Sequence, residues 1–115
     1  MIIRSAEMQS EARAAMRGGP GAVGLCHIVP AGALPGKCRL FSLITLEMGC
    51  GIGAHVHENE TEMYYALQGE GVLDDNGEKK DFRAGDCNVC GGGAYHAIVN
   101  EKDEPLVFVA AIVLE

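Results

Sequence analysis

The stretch Gly49-Cys50-Gly51-Ile52-Gly53-Ala54-His55-Val56-His57-Glu58-Asn59-Glu60-Thr61-Glu62-Met63-Tyr64 decides how this chain reads. His55 and His57 are one residue apart, which puts both imidazoles on one face of a β-strand because side chains alternate with period 2. Glu62 follows on the next segment and His96 on a later one. The same alternation sends Tyr64 and Ala66 to the face of Glu62, and Ile98 and Asn100 to the face of His96. Three imidazoles and one carboxylate suit a divalent transition metal of borderline softness. A glutamate in an apolar setting is costly unless a cation faces it, and a metal ion is the natural partner. The expected metal ligands are therefore His55, His57, Glu62 and His96.

Glycines punctuate the same region at Gly49, Gly69, Gly85 and Gly93. The order and spacing resemble the cupin superfamily. Its first motif runs glycine, five residues, His-x-His, three or four residues, glutamate, six residues, glycine, and is matched by Gly49, His55, His57, Glu62 and Gly69. Its second motif runs glycine, five residues, proline, one residue, glycine, two residues, histidine, three residues, asparagine. Gly85, Gly93, His96 and Asn100 fall in place, whereas Gly91 stands where the family has proline. Gly91-Gly92-Gly93 then reads as a looser turn that holds His96 less firmly. The resemblance covers about half of the chain, and residues 70–84 form a short spacer typical of compact microbial cupins.

The rest of the sequence agrees with an all-β domain. At 115 residues the chain is long enough for a single core. Sixteen glycines and a charged fraction of 22% suit a turn-rich β protein. Residues 5–17 contain good helix formers and end abruptly at Gly18-Gly19-Pro20-Gly21; a short helix and an extended arm both remain open for residues 1–22. Residues 23–115 form the barrel domain. Strands are expected over Val23–Val29, Arg39–Met48, a short segment bearing His55 and His57, Thr61–Leu67, Gly71–Asp75, Glu78–Phe82, Asp86–Cys90, Tyr95–Asn100 and Leu106–Leu114. Asn76-Gly77 between two of them is a strong hairpin signal. Many short strands with glycine-rich turns mean a jelly roll or barrel; the resemblance implies the double-stranded β-helix of cupins.

Charge and hydropathy exclude several partners. A net charge of −7 argues against nucleic acid or an anionic membrane surface. No apolar run reaches spanning length, and Met1-Ile2-Ile3-Arg4-Ser5 lacks a signal-peptide core, so the cytoplasm is expected. Cys26, Cys38, Cys50, Cys87 and Cys90 are an odd number of thiols, which favours reduced cysteines over a disulfide framework. In Cys87-Asn88-Val89-Cys90 the two thiols would face opposite sides of a strand, which makes joint chelation awkward. Buried structural cysteines are the expected reading.

The expected cofactor is one divalent transition metal ion per chain (Mn, Fe, Ni, Co, Cu or Zn), with open positions for a ligand oxygen where the ion is five- or six-coordinate. Glu62 and Tyr64 are the candidate catalytic residues, Tyr64 as a hydroxyl beside a metal-bound substrate. His27 lies outside both motifs and reads as an ordinary hydrogen-bonded residue. Arg39 is the best basic candidate for an anionic ligand, yet its plainer reading is a surface arginine, and no arginine pair is evident to clamp a dianion. The resemblance implies a metalloenzyme acting on a small carboxylate or sugar-derived molecule, most like oxalate-binding or oxalate-decarboxylase-like cupins. Alternatives are a non-catalytic sensing module and, last, a storage role. The run Leu106–Leu114 is apolar at both parities. Its outer face must be covered by the N-terminal segment or by a second copy, and a twofold homodimer is the expected arrangement.

Overall fold

Glycine turns and alternating apolar runs fold into ten strands and no α-helix in the computed structural model, which describes residues 1–115. In chain order they are β1 (Gln9–Ala14), β2 (Ala22–His27), β3 (Cys38–Leu46), β4 (Gly51–Val56), β5 (Glu60–Gln68), β6 (Glu70–Asp75), β7 (Glu78–Arg83), β8 (Cys87–Gly91), β9 (Tyr95–Val99) and β10 (Leu106–Leu114). A six-stranded sheet, β1-β2-β3-β10-β5-β8, faces a four-stranded sheet, β4-β9-β6-β7. Together they make the expected jelly roll. No helix is long and apolar enough to cross a membrane.

Strand β10 shows how the barrel closes. Leu106, Phe108, Ala110 and Ile112 point inward and are buried, while Val107, Val109 and Ala111 on the other face are half-buried. Phe108 lies opposite Ile44 of β3 on one side and Ala66 of β5 on the other. Its ring centroid is 4.6 Å from that of Tyr64 and 6.4 Å from that of Phe82. Each such fully buried side chain contributes about 1.5–3 kcal/mol relative to exposure. At the β6–β7 hairpin Asn76 and Gly77 both take left-handed backbone, φ 51° and 101°, as a two-residue turn matched to sheet twist requires.

The N-terminal segment resolves in favour of the arm. Residues Gln9 to Ala14 pair with β2 in register from Gln9–His27 to Ala14–Ala22, and they are exposed throughout. With no apolar stripe to bury, helix propensity loses to the hydrogen bonds offered by the free edge of β2. The arm therefore extends the sheet sideways and does not pair with β10. Beyond β1 the chain turns through left-handed Ala15 and Arg17 (φ 51° and 52°) and crosses β4. Gly51 N–H donates to the Pro20 carbonyl at 2.9 Å. A Cβ on Gly53 would lie 2.0 Å from the Arg17 carbonyl oxygen, and one on Gly19 would lie 2.6 Å from that of Gly51. Only glycine permits this approach.

His27 is the ordinary residue expected: its Nδ1 meets Ser42 Oγ at 2.9 Å and its Nε2 meets Glu11 at 2.7 Å, tying β1 to β2 and β3. All five thiols are free. Cys87 and Cys90 lie on opposite faces of β8 as the spacing demands; the expectation of burial holds for Cys90 alone, since Cys87 is exposed and Cys26, Cys38 and Cys50 are half-buried.

Candidate metal centre

Strands from both sheets converge on one point. Strand β4 carries His55, with His57 just beyond its end, and β9 carries His96 directly opposite His55. Glu62 comes from β5 in the facing sheet, where Glu62, Tyr64 and Ala66 are all buried, as alternation predicts. His57 and His96 are 1% and 0% exposed.

The four side chains form one donor set. Glu62 Oε1 lies 2.9 Å from His57 Nε2, 2.9 Å from His96 Nε2 and 3.4 Å from His55 Nε2. The Nε2 atoms of His96 and His55 are 3.0 Å apart, and those of His57 and His96 are 3.2 Å apart. All four donor atoms fall within 4.8 Å of one another. Two ligands at right angles, each about 2.1 Å from a shared ion, lie about 3.0 Å apart. The spacing matches that of ligands around a single small cation.

The outward nitrogens fix the tautomers. His55 Nδ1 donates to the Gly53 carbonyl at 2.7 Å, His57 Nδ1 donates to Glu60 Oε2, and His96 Nδ1 donates to Asn88 Oδ1 at 2.7 Å. With the proton on Nδ1, each Nε2 presents a lone pair to the centre. Burial lowers the pKa of His96 despite the pull of Glu62, which keeps its imidazole neutral. Burial alone would raise the Glu62 carboxyl; where no ion is bound, positive charge carried by protons on the facing imidazoles, His55 and His96 first, holds it at about 2, and a metal ion would take the place of those protons. Three lone pairs and one carboxylate therefore meet in a buried space, an arrangement that demands a cation. The residues fit a divalent metal ion.

Several supports have no place in the motif reading. Arg39 binds both oxygens of Glu60, through Nε at 2.8 Å and a terminal nitrogen at 2.9 Å. That ion pair, more than burial or the hydrogen bond from His57, sets the Glu60 carboxyl at about 2. Arg39 lies at the surface as expected, but with an added part: it orders a carboxylate that in turn orders His57. A sequence signal for Glu60 did exist, since it shares the parity of Glu62 on β5. Asn88 gave none until β8 was paired with β5, opposite Tyr64. The loose Gly91 turn is also corrected: His96 is held by Asn88 and by the Tyr64 ring stacked on it at 4.6 Å. A Cβ at Gly91 would lie 2.3 Å from Thr61 Oγ1, so β5 leaves no room for a larger residue. Burial and the Glu62 charge push the Cys90 thiol up to about 11, which keeps it protonated and out of the ligand set.

A cavity of about 70 Å³ opens beside the centre. His55, Glu62 and Tyr64 supply part of its polar lining, and Arg17 and Arg39 supply the rest; Leu25, Ile44 and Ile112 are among its apolar walls. Burial keeps the Tyr64 hydroxyl protonated, well above its ordinary range. A larger groove of about 380 Å³ lies near Val72, Ala97 and Lys79, but none of the four donors lines it.

Residues 42–112 match the cupin domain family. A protein from Thermotoga maritima described as an oxalate-binding protein is 41% identical over 99% of this chain and 94% of its own. A crystal structure from the same organism, described as a predicted oxalate decarboxylase, superposes with a TM-score of 0.93 at 41% identity over the whole of both chains. A polyketide cyclase from Streptomyces resistomycificus shares the fold, with a TM-score of 0.79 at 13% identity over all of this chain and 80% of its own.

Proposed function

Because the chain belongs to the cupin domain family, and because four buried donors meet beside a small cavity, we propose that it binds one divalent metal ion and, through it, a small carboxylate. His55, His57, Glu62 and His96 are the ligands. The observation that carries this reading is the set of three Nδ1 hydrogen bonds, which aim every Nε2 lone pair at the Glu62 carboxylate. A bound ion supplies Lewis-acid polarisation of a ligand oxygen. The cavity restricts the ligand to a few heavy atoms, and the oxalate-binding relative makes oxalate the leading candidate, ahead of a sugar-derived acid.

Catalysis on the bound carboxylate is the second reading, favoured by Tyr64. Its buried hydroxyl stays protonated and lines the cavity, where it would donate a hydrogen bond to the ligand, while Glu62 holds negative charge beside it. A sensing module would use the same site without turnover. The five free thiols fit a reducing compartment such as the cytoplasm. The outer face of the six-stranded sheet, where Val109 lies between Leu43 and Tyr65, supports a homodimer.

Metal analysis of the purified protein, then calorimetry of the metal-loaded protein with oxalate and with small neutral sugars, tests the proposal. Stoichiometric metal and heat from oxalate are expected. Binding of a neutral sugar with no response to any carboxylate would overturn the ligand assignment. Formate release from oxalate separates an enzyme from a binding module.

A further inference from the structure

The polar lining of the 70 Å³ cavity divides into two chemistries: His55, Glu62 and Tyr64 of the donor side, and the two basic residues Arg17 and Arg39. These arginines are not equivalent. Arg39 spends its Nε and a terminal nitrogen on Glu60, and so belongs to the support of His57. Arg17 makes no ion pair and no side-chain hydrogen bond, although the chain carries 16 acidic residues against 9 basic ones. Its charge is nonetheless felt at the buried Tyr64 hydroxyl.

Its placement is built by several residues. Left-handed backbone at Ala15 and at Arg17 itself turns the chain, Met16 packs on the core, and Gly19 seats the turn against Gly51 of the strand that carries His55. A side-chain-bearing residue seldom adopts such backbone unless its surroundings impose it. An arginine without an internal partner at the lip of a metal-centre cavity leaves a planar fork of donors, matched to a carboxylate, for the occupant.

We propose that Arg17 is the anion-recognition residue of this cavity, so that the occupant is a small dianion, a two-carbon dicarboxylate, engaged by the metal centre and by Arg17 together. This rests on the reading of the site as a metal-dependent carboxylate site and names what the cavity selects. The volume leaves room for a few water molecules' worth of ligand, which favours a compact molecule such as oxalate over a sugar phosphate. One negative charge meets the centre; the second distinguishes oxalate from glycolate, which has nearly the same size and only one charge.

The test is calorimetry in two stages. Manganese(II) is first titrated into the apo protein, and oxalate or glycolate is then titrated into the loaded protein. In Arg17→Gln manganese affinity stays at the wild-type value, oxalate affinity falls about 10- to 100-fold, the size of one charge-assisted contact, and glycolate affinity falls less than about threefold. Unchanged oxalate affinity in Arg17→Gln, or an equal fall for both ligands, overturns the assignment while leaving the carboxylate site standing. Lost manganese affinity in Arg17→Gln marks a structural role and overturns it too. Wild-type protein that takes up manganese but neither ligand overturns the carboxylate reading itself, and this inference with it.

Discussion

The Glu60 carboxylate accepts the Nδ1 proton of His57, and this contact, two residues before Glu62, sets which nitrogen of His57 faces the centre. An imidazole freed from that partner would sample the other tautomer and turn its N–H toward the ion. Glu60→Ala should therefore lower metal affinity by about 10- to 100-fold with the β fold intact. Competition with a chelator of known affinity measures this. Arg39→Ala should give a smaller loss of the same kind, because Arg39 orders Glu60 and touches no ligand.

Removing the donors themselves has a sharper outcome. His55→Ala with His57→Ala should abolish metal retention while far-ultraviolet circular dichroism stays β-like. Added metal should raise the melting temperature of the wild type, since it binds the folded chain alone, and leave that of the double variant unmoved. Full occupancy in the double variant would refute the ligand set.

The apo protein should lose stability in acid over a defined window. Glu60 and Glu62 titrate near 2 in the folded chain, below the ordinary 4.5. The folded state thus binds fewer protons than the unfolded one, and stability rises with pH. Their contribution is present above pH 4.5 and is lost as the pH falls toward 2. Urea unfolding of apo wild type and of Glu60→Gln across that range checks it: the variant should show the shallower dependence.

Much of the centre was legible because its signals are local. His55-Val56-His57 follows strand period, Glu62 shares parity with buried Tyr64 and Ala66, and Asn76-Gly77 forms the turn its residue types favour. The supports were less legible because they depend on pairing across sheets. Asn88 reaches His96 only after β8 has docked on β5, and Arg39 reaches Glu60 across a separation of 21 residues. The first residues misled in another way. Gln9 to Ala14 favour helix locally, but they have nothing apolar to bury, so an edge of β2 captures them. That capture brings Arg17 to the cavity, which no spacing in the sequence announces.

Core packing reaches the centre through stacked rings. Phe108 is fully buried against Tyr64, and Tyr64 lies nearly parallel to the His96 imidazole at 14°. Phe108→Ala should destabilise the fold by about 3–5 kcal/mol. It should also loosen Tyr64, so that metal affinity falls less than affinity for the carboxylate. Chemical denaturation and calorimetry on one preparation separate the two effects.

The last expectation concerns assembly. On the outer face of the six-stranded sheet, Val109 sits between Leu43 and Tyr65, and Met63 sits opposite Val89. Tyr65, Val89 and Leu67 are 49%, 61% and 50% exposed. An antiparallel sheet with one wet face should alternate apolar and polar residues, and this one does not. The N-terminal arm is spent on the edge of β2 and leaves β10 without a covering strand. A second copy related by a twofold axis would bury the same patch on both chains. Light scattering should then give twice the chain mass of 12.1 kDa. Tyr65→Glu with Val89→Glu should halve it and leave metal binding in place, since both side chains point away from the four donors. A wild type that stays monomeric at high micromolar concentration would refute the dimer.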